Sequence, residues 1–316
     1  MRTRDSLETD TRVVDAPDVP REMVEPQRGQ VLDDPEKRRE ESAESRQQAD
    51  GDWERGPFKA PREELARFDL KRAGLPDMTI ESAAKYIDEH RDSRPWLAMA
   101  DRASPEARRI IAALDAAGGH AHIRHEGWVS EEANRRRVAY REDPAQLHPE
   151  KRSLGIDGLR PNDDRHRSGD AATRITDPDA FATAFVRGVA HPRVREALDK
   201  PTGSSKWPGE VPIPISDLLG PKGYRHCTGW RLESVDENID KALEDRSKWI
   251  TKRAEGRKPD VPEPQASPIP TFTGGAIVFA FARNDSEKRY EVVTMFPRPV
   301  QPQQADDHPE SVKGAR

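Results

Sequence analysis

The chain has 316 residues, of which 33% are hydrophobic and 35% charged, with 28 prolines and a formal net charge of −5. So few apolar residues exclude a chain packed from end to end, and part of it is expected to lack a core. The charge is uneven: 11 basic and 16 acidic residues fall in residues 1–60, which leaves 42 of each in residues 61–316. A neutral remainder carries no broad basic field, so a protein that tracks along DNA is excluded while a local phosphate pocket is not. The single cysteine, Cys227, excludes an intramolecular disulfide and is expected to be buried. No apolar run is long enough to span a bilayer, and the opening "MRTRDSLETD" has no apolar signal region. No membrane partner is therefore expected. The expected location is the cytoplasm, or beyond the cell by a specialised secretion route.

Taken in chain order, residues 1–60 read as a disordered acidic tail. "VLDDPEKRREESAESRQQADGD" has charge without an apolar stripe, apart from a short solvated helix near Asp34–Gln48. Residues 61–117 read as a helical segment. "MTIESAAKYIDEH" has Thr79 as its cap, and "SPEARRIIAALDAAGG" has Ser104 as N-cap, Pro105 at the first position and Gly118–Gly119 as the stop. Ser130 caps the next helix, "SEEANRRRVAYRE". A polar stretch without period, "DPAQLHPEKRSLGIDGLRPNDDRHRSGD", follows and reads as a long lid or insertion.

Asp177 and Pro178 then open one or two helices broken at Pro192. "VPIPISDLL" offers a short edge strand, "YRHCTGWRLESV" a strand, and "DENIDKALEDRSKWITKRAEGR" an amphipathic helix with Ile239, Leu243 and Ile250 on its apolar face. The strongest strand pair closes the chain: "GAIVFAFAR" and "RYEVVTMFP", joined by "NDSEK" at hairpin length, with Pro297 and Pro299 expected to end it. Helices first and an antiparallel sheet last make an α+β fold. Residues 300–316 read as a second disordered tail.

"GGHAHIRHEGW", residues 118–128, places His120, His122 and His125 within six residues. Three readings compete. The spacing matches the histidines of the His-x-His-x-Asp-His pattern of metallo-β-lactamase-fold hydrolases, but Arg124 stands at the aspartate position, where a cation would repel a second metal. No further ligand set completes such a site, so no metal and no cofactor are expected. The histidines are otherwise surface or helix-end residues, His122 foremost. The third reading is general acid–base catalysis by one principal imidazole, with Arg135, Arg136 and Arg137 one helix away as a source of fixed positive charge.

The same residues resemble the bacterial RNase A-like domain at the C-terminus of contact-dependent inhibition toxins. "GGHAHIRHEGW" and "SEEANRRRVAY" resemble its opening, "AATRITDPDAFATAF" its next segment and helix, "GGAIVFAFAR" its penultimate strand and "YEVVTMFPRP" its closing strand. The resemblance covers about residues 110–299 and implies an RNase A-like domain over 118–299. It carries the family's active-site histidine to His125, its arginine to Arg136 and its closing-strand threonine to Thr294, with His120, Thr173 and Phe296 as accessory candidates. Phe296 stands where the family has tyrosine, so a phenolic hydroxyl is replaced by a bare stacking face.

What the resemblance implies is metal-independent cleavage of RNA, tRNA among its candidate forms. The ribose 2′-hydroxyl attacks the neighbouring phosphate and leaves a 2′,3′-cyclic phosphate, and an immunity protein is the implied partner. The need for that hydroxyl selects RNA over DNA. Read without the resemblance, Thr294 also suits a β-branched strand, Arg136 a solvated helix face and Phe296 a core. A non-catalytic RNA- or protein-binding module that keeps the fold is the alternative.

Overall fold

Local signals that need only a few neighbouring residues set most helix boundaries. The computed structural model describes residues 56–119, 121–160, 162–201, 208–234, 238–284 and 288–300. Both expected tails, apart from their inner edges, and the helix near 34–48 lie outside the described residues.

Helix α1 spans Arg62–Arg67 and α2 spans Ile80–His90, where Thr79 and Ser82 form a reciprocal capping box. Helix α3, Pro105–Ala116, starts on the Ser104 hydroxyl, which accepts from the Ala107 amide, and stops before Gly118, whose φ is 74°. A short α4, Ala121–Arg124, follows, and then α5, Glu131–Tyr140, capped by Ser130. Asp177 accepts from the amides of Asp179 and Ala180 at the start of α7, Pro178–Ala190, and α8, Pro192–Leu198, begins at the expected break.

The expected insertion is not a structureless loop. It holds the short helix α6, Pro149–Ser153, and buries Asp143, Asp157 and His166. The outer limit of the N-terminal tail also shifts inward: the Phe58 amide donates to Asp177 at 3.0 Å and its ring packs edge-on against His226.

Two three-stranded antiparallel sheets complete the fold. In the first, β1 (Ala171–Ile175), β3 (Cys227–Leu232) and β4 (Ala266–Pro268) run in the order β1-β3-β4. In the second, β2 (Val211–Pro214), β5 (Ala276–Asn284) and β6 (Arg289–Arg298) run in the order β2-β5-β6. Strand β6 continues through Pro297, contrary to the expected stop, because it is an edge strand and proline there forfeits no ladder bond on its open side. Helices α9 (Ile215–Leu219) and α10 (Ile239–Ala254) fill the remaining connections. The pattern is α+β, as expected.

One core joins the whole. Leu65, Ile87 and Ile110 of the N-terminal helices share a hydrophobic cluster with Phe181, Phe279 and Met295. The described residues of 61–117 and of 118–299 are therefore packed together in one compact unit. Helix α7 lies so close to the second sheet that a Cβ on Gly188 would stand 1.9 Å from the Phe279 ring. A side-chain hydrogen bond ties the two sheets: the Thr173 hydroxyl on β1 donates to the Pro297 carbonyl on β6 at 2.6 Å. The candidate site lies at that tie.

Candidate active site

His125 closes α4 and docks it on the first sheet. Its amide donates to the Ala121 carbonyl at 2.9 Å, and its own carbonyl accepts from the Ile175 amide of β1 at 2.9 Å. The chain then runs parallel to β1, with Glu126 bridged to Ile175. This is possible only because residue 127 is glycine: a Cβ there would stand 2.2 Å from the Thr176 carbonyl oxygen. The glycine of the His-Glu-Gly step is thus a packing requirement.

The imidazole is fixed on both sides. Nδ1 lies 2.8 Å from the Thr173 carbonyl, and the ring meets Phe296 of β6 at 5.3 Å between centroids, tilted by 31°. A carbonyl can only accept, so Nδ1 carries the hydrogen in the neutral ring and Nε2 is the nitrogen that takes up a proton. That arrangement suits a general base.

Buried arginines hold the loop that carries this histidine. Arg137 on α5 donates to the Arg124 carbonyl at 3.1 Å. On the other side Arg174 of β1 donates to the Gly127 carbonyl at 3.0 Å, to the Val129 carbonyl and to Glu131 at 2.7 Å. Burial opposes the charge of Glu131, yet Arg174, Trp230 and Thr228 together hold its carboxyl below the usual range.

The remaining site candidates are placed as follows. Thr294 lies on β6, nine-tenths buried, with a hydroxyl that has no hydrogen-bond partner. Residues 294 to 298 pair regularly with β5, so Thr294, Phe296 and Arg298 share one strand face. The Thr173 hydroxyl is committed to the inter-sheet tie and is not free for a ligand. His120 lies outside the described residues.

Arg136 is engaged by Glu142 and Tyr140. Its guanidinium grips Glu142 in two bonds of 2.7 and 2.5 Å and lies over the Tyr140 ring. The residue that sequence reasoning missed is Arg298, whose guanidinium stands 5.5 Å from the Phe296 ring centre. Its strand alternation with Thr294 and Phe296 was readable, but the contact of that face with His125 was not.

His122 turns away from His125 and has a structural task. It is fully buried, and its Nε2 lies 2.9 Å from Asp115, which also accepts from Tyr86, Arg94 and Trp96. Burial opposes the charge on Asp115, and these donors nonetheless hold its carboxyl well below the usual carboxylate range. His122 and His125 therefore serve different partners.

Metal-type geometry occurs elsewhere. Asp143, Asp157 and His166 bring one ligand atom each within 4.8 Å of one another. The Arg124 guanidinium occupies that ring of acceptors: it bonds Asp143 at 3.0 and 2.6 Å and Asp157 at 2.8 Å. Asp143 further accepts from the Ala145 and Gly158 amides, and Asp157 from those of Leu159 and Arg160. His166 Nε2 faces Arg137, which can only donate, so the ring is neutral with its hydrogen on Nδ1 toward Asp157. Burial, with Arg137 beside it, pushes the His166 pKa down in keeping with that state. The donor set fits an arginine and offers a metal ion no open valence.

Among the described residues no helix is long and apolar enough to cross a membrane. No family model matches the chain, and no curated protein or solved structure proved significantly similar to it.

Proposed function

We propose that the protein is a metal-independent endoribonuclease of the RNase A-like kind, acting as a toxin held in check by an immunity protein. The observation that carries this reading is the fixed tautomer of His125, whose Nδ1–H is bound by the Thr173 carbonyl so that Nε2 is the basic nitrogen. His125 takes the proton of a ribose 2′-hydroxyl. The new bond from that oxygen to phosphorus forms as the bond to the 5′-oxygen breaks, and the departing oxygen takes a proton. A 2′,3′-cyclic phosphate and a 5′-hydroxyl remain. Thr294, with its uncommitted hydroxyl, serves the phosphate or the base.

The test is direct. Purified protein is incubated with tRNA and with mixed RNA in the presence of a chelator, and the ends are analysed. Cleavage with cyclic phosphate ends, reduced at least ~100-fold in His125→Ala, is the expected outcome. RNA left intact beside an active control sinks the reading.

A second reading is favoured by two observations: Phe296 offers no hydroxyl, and Arg136 is engaged by Glu142. In that reading the chain is a binding module for RNA or protein without catalysis. It predicts RNA binding that His125→Ala leaves unchanged.

A further inference from the structure

A cleaved phosphodiester needs a positive group where charge develops, and two arginines compete for that place. Arg136 is bound to Glu142, whose side chain is only 9% exposed. Withdrawing that guanidinium to meet a substrate would leave a buried carboxylate without its counter-charge, the costly kind of broken pair. Arg298 is held differently. Its ion pair with Glu210 lies at the surface, the two side chains being 40% and 48% exposed, where solvent and salt compete and little is lost on exchange. A phosphate oxygen can replace the Glu210 carboxylate without stranding a charge.

Position favours the same residue. The Arg298 guanidinium and the His125 ring each lie within 5.5 Å of the Phe296 ring centre. Phe296 is thus a neighbour shared by the cation and the base, and its ring face attracts the guanidinium. Two residues back on the same strand face is Thr294, nine-tenths buried, its hydroxyl without a partner. A buried hydroxyl without a protein partner has a hydrogen bond still to make, to water or to a ligand. Thr294, Phe296 and Arg298 thus form one stripe of β6, and His125 meets that stripe at Phe296.

We propose that Arg298, released from Glu210, holds the phosphate of a single-stranded nucleic acid in the His125 site, with the Thr294 hydroxyl as its neutral partner. The inference rests on the ribonuclease reading for the identity of the ligand. It does not require that the chain cleave it.

The experiment follows binding alone. The full chain is titrated with a short RNA methylated on every 2′-oxygen, which cannot undergo 2′-hydroxyl attack, while the His125 imidazole resonances are recorded. Saturable shifts are expected. Arg298→Gln is expected to weaken binding about tenfold and to reduce the salt dependence by about one phosphate contact. Arg136→Gln is expected to change affinity less than about twofold, since a charge already neutralised by a close partner adds little. Glu210→Gln is the decisive second variant. It removes the competing carboxylate and is expected to tighten binding about threefold, which loss of a merely structural pair would not do.

Absence of saturable shifts in the unaltered chain overturns the proposal, as does an Arg298→Gln protein that binds normally. So does a Glu210→Gln protein that binds no better. Arg298-dependent binding without cleavage of unmodified RNA would uphold it and remove the ribonuclease reading instead.

Discussion

Glu126, next to His125, couples the fold to pH although water does not reach it. Its side chain is fully buried, neither carboxyl oxygen has a hydrogen-bond partner, and burial pushes its pKa from an ordinary 4.5 up to about 8. Arg102 pulls the value down and Asp177 pushes it further up, but desolvation dominates. Below pH 4.5 the folded and unfolded chains both hold this proton. As the pH rises toward 8 the folded chain keeps a proton that the unfolded chain has released, so stability falls, and the loss is complete above about 8. The full penalty is on the order of 5 kcal/mol. Glu126→Gln is expected to flatten this decline and to be more stable than the unaltered chain at pH 8. Denaturant titrations of the two proteins between about pH 5 and 8 check it, and parallel slopes would disprove the assignment. Arg124, by contrast, keeps its charge: burial opposes it, but Asp143 and Asp157 raise its pKa further.

At the scale of elements, the turn from α4 onto β1 depends on an approach that no side chain permits. Gly127 meets the Thr176 carbonyl oxygen and carbon at 2.2 and 2.9 Å from the Cβ it lacks, and Met99 at 3.0 Å. Backbone cannot yield as a flexible side chain would. Gly127→Ala is expected to cost about 1–3 kcal/mol and to displace the His125 loop from β1. Chemical denaturation reads the first effect and the His125 imidazole shifts the second. A protein of unchanged stability would show that the loop is not pinned.

Helix α10 makes a related point. Ile239, Leu243 and Ile250 share the apolar face read from its periodicity, and so does Arg246, which is 1% exposed. Its guanidinium donates to the carbonyls of Val138, Ser168 and Gly169 at 2.7 to 2.9 Å. Burial, with Arg141 beside it, pushes its pKa down to about 10, so it stays charged at neutral pH. Arg246→Met would strand three acceptors and is expected to destabilise by about 3 kcal/mol. Loss of less than about 1 kcal/mol in denaturant melts would mean that water replaces the donor.

Across the whole molecule, the fold is a set of ties between elements distant in sequence. Thr173 joins the two sheets, Arg246 joins α10 to the ends of α5 and the insertion, and Arg124 with Arg137 joins the insertion to the His125 loop. Residues 143–170, whose composition reads as a solvated loop, supply two carboxylates and a neutral imidazole to an ionic core completed by Arg124 and Arg137, all buried together. Polarity in a sequence does not distinguish solvated charges from paired ones, because pairing is a property of the partners' positions.

The sequence alone determined what acts over a few residues. Thr79, Ser104, Ser130 and Asp177 mark helix starts since a cap bonds amides two or three positions on. The closing hairpin was legible from the β-branched and aromatic residues on both arms. His125 could be singled out by type and by resemblance, and Thr294 with it. Only the tertiary structure decided the rest. It short-circuited Arg136 onto Glu142, spent the Thr173 hydroxyl on Pro297, turned His122 toward Asp115 and set Arg298 beside the ring that touches His125. Each of those outcomes depends on which groups the folded chain brings within about 3–6 Å, and sequence spacing does not fix that distance between separate elements.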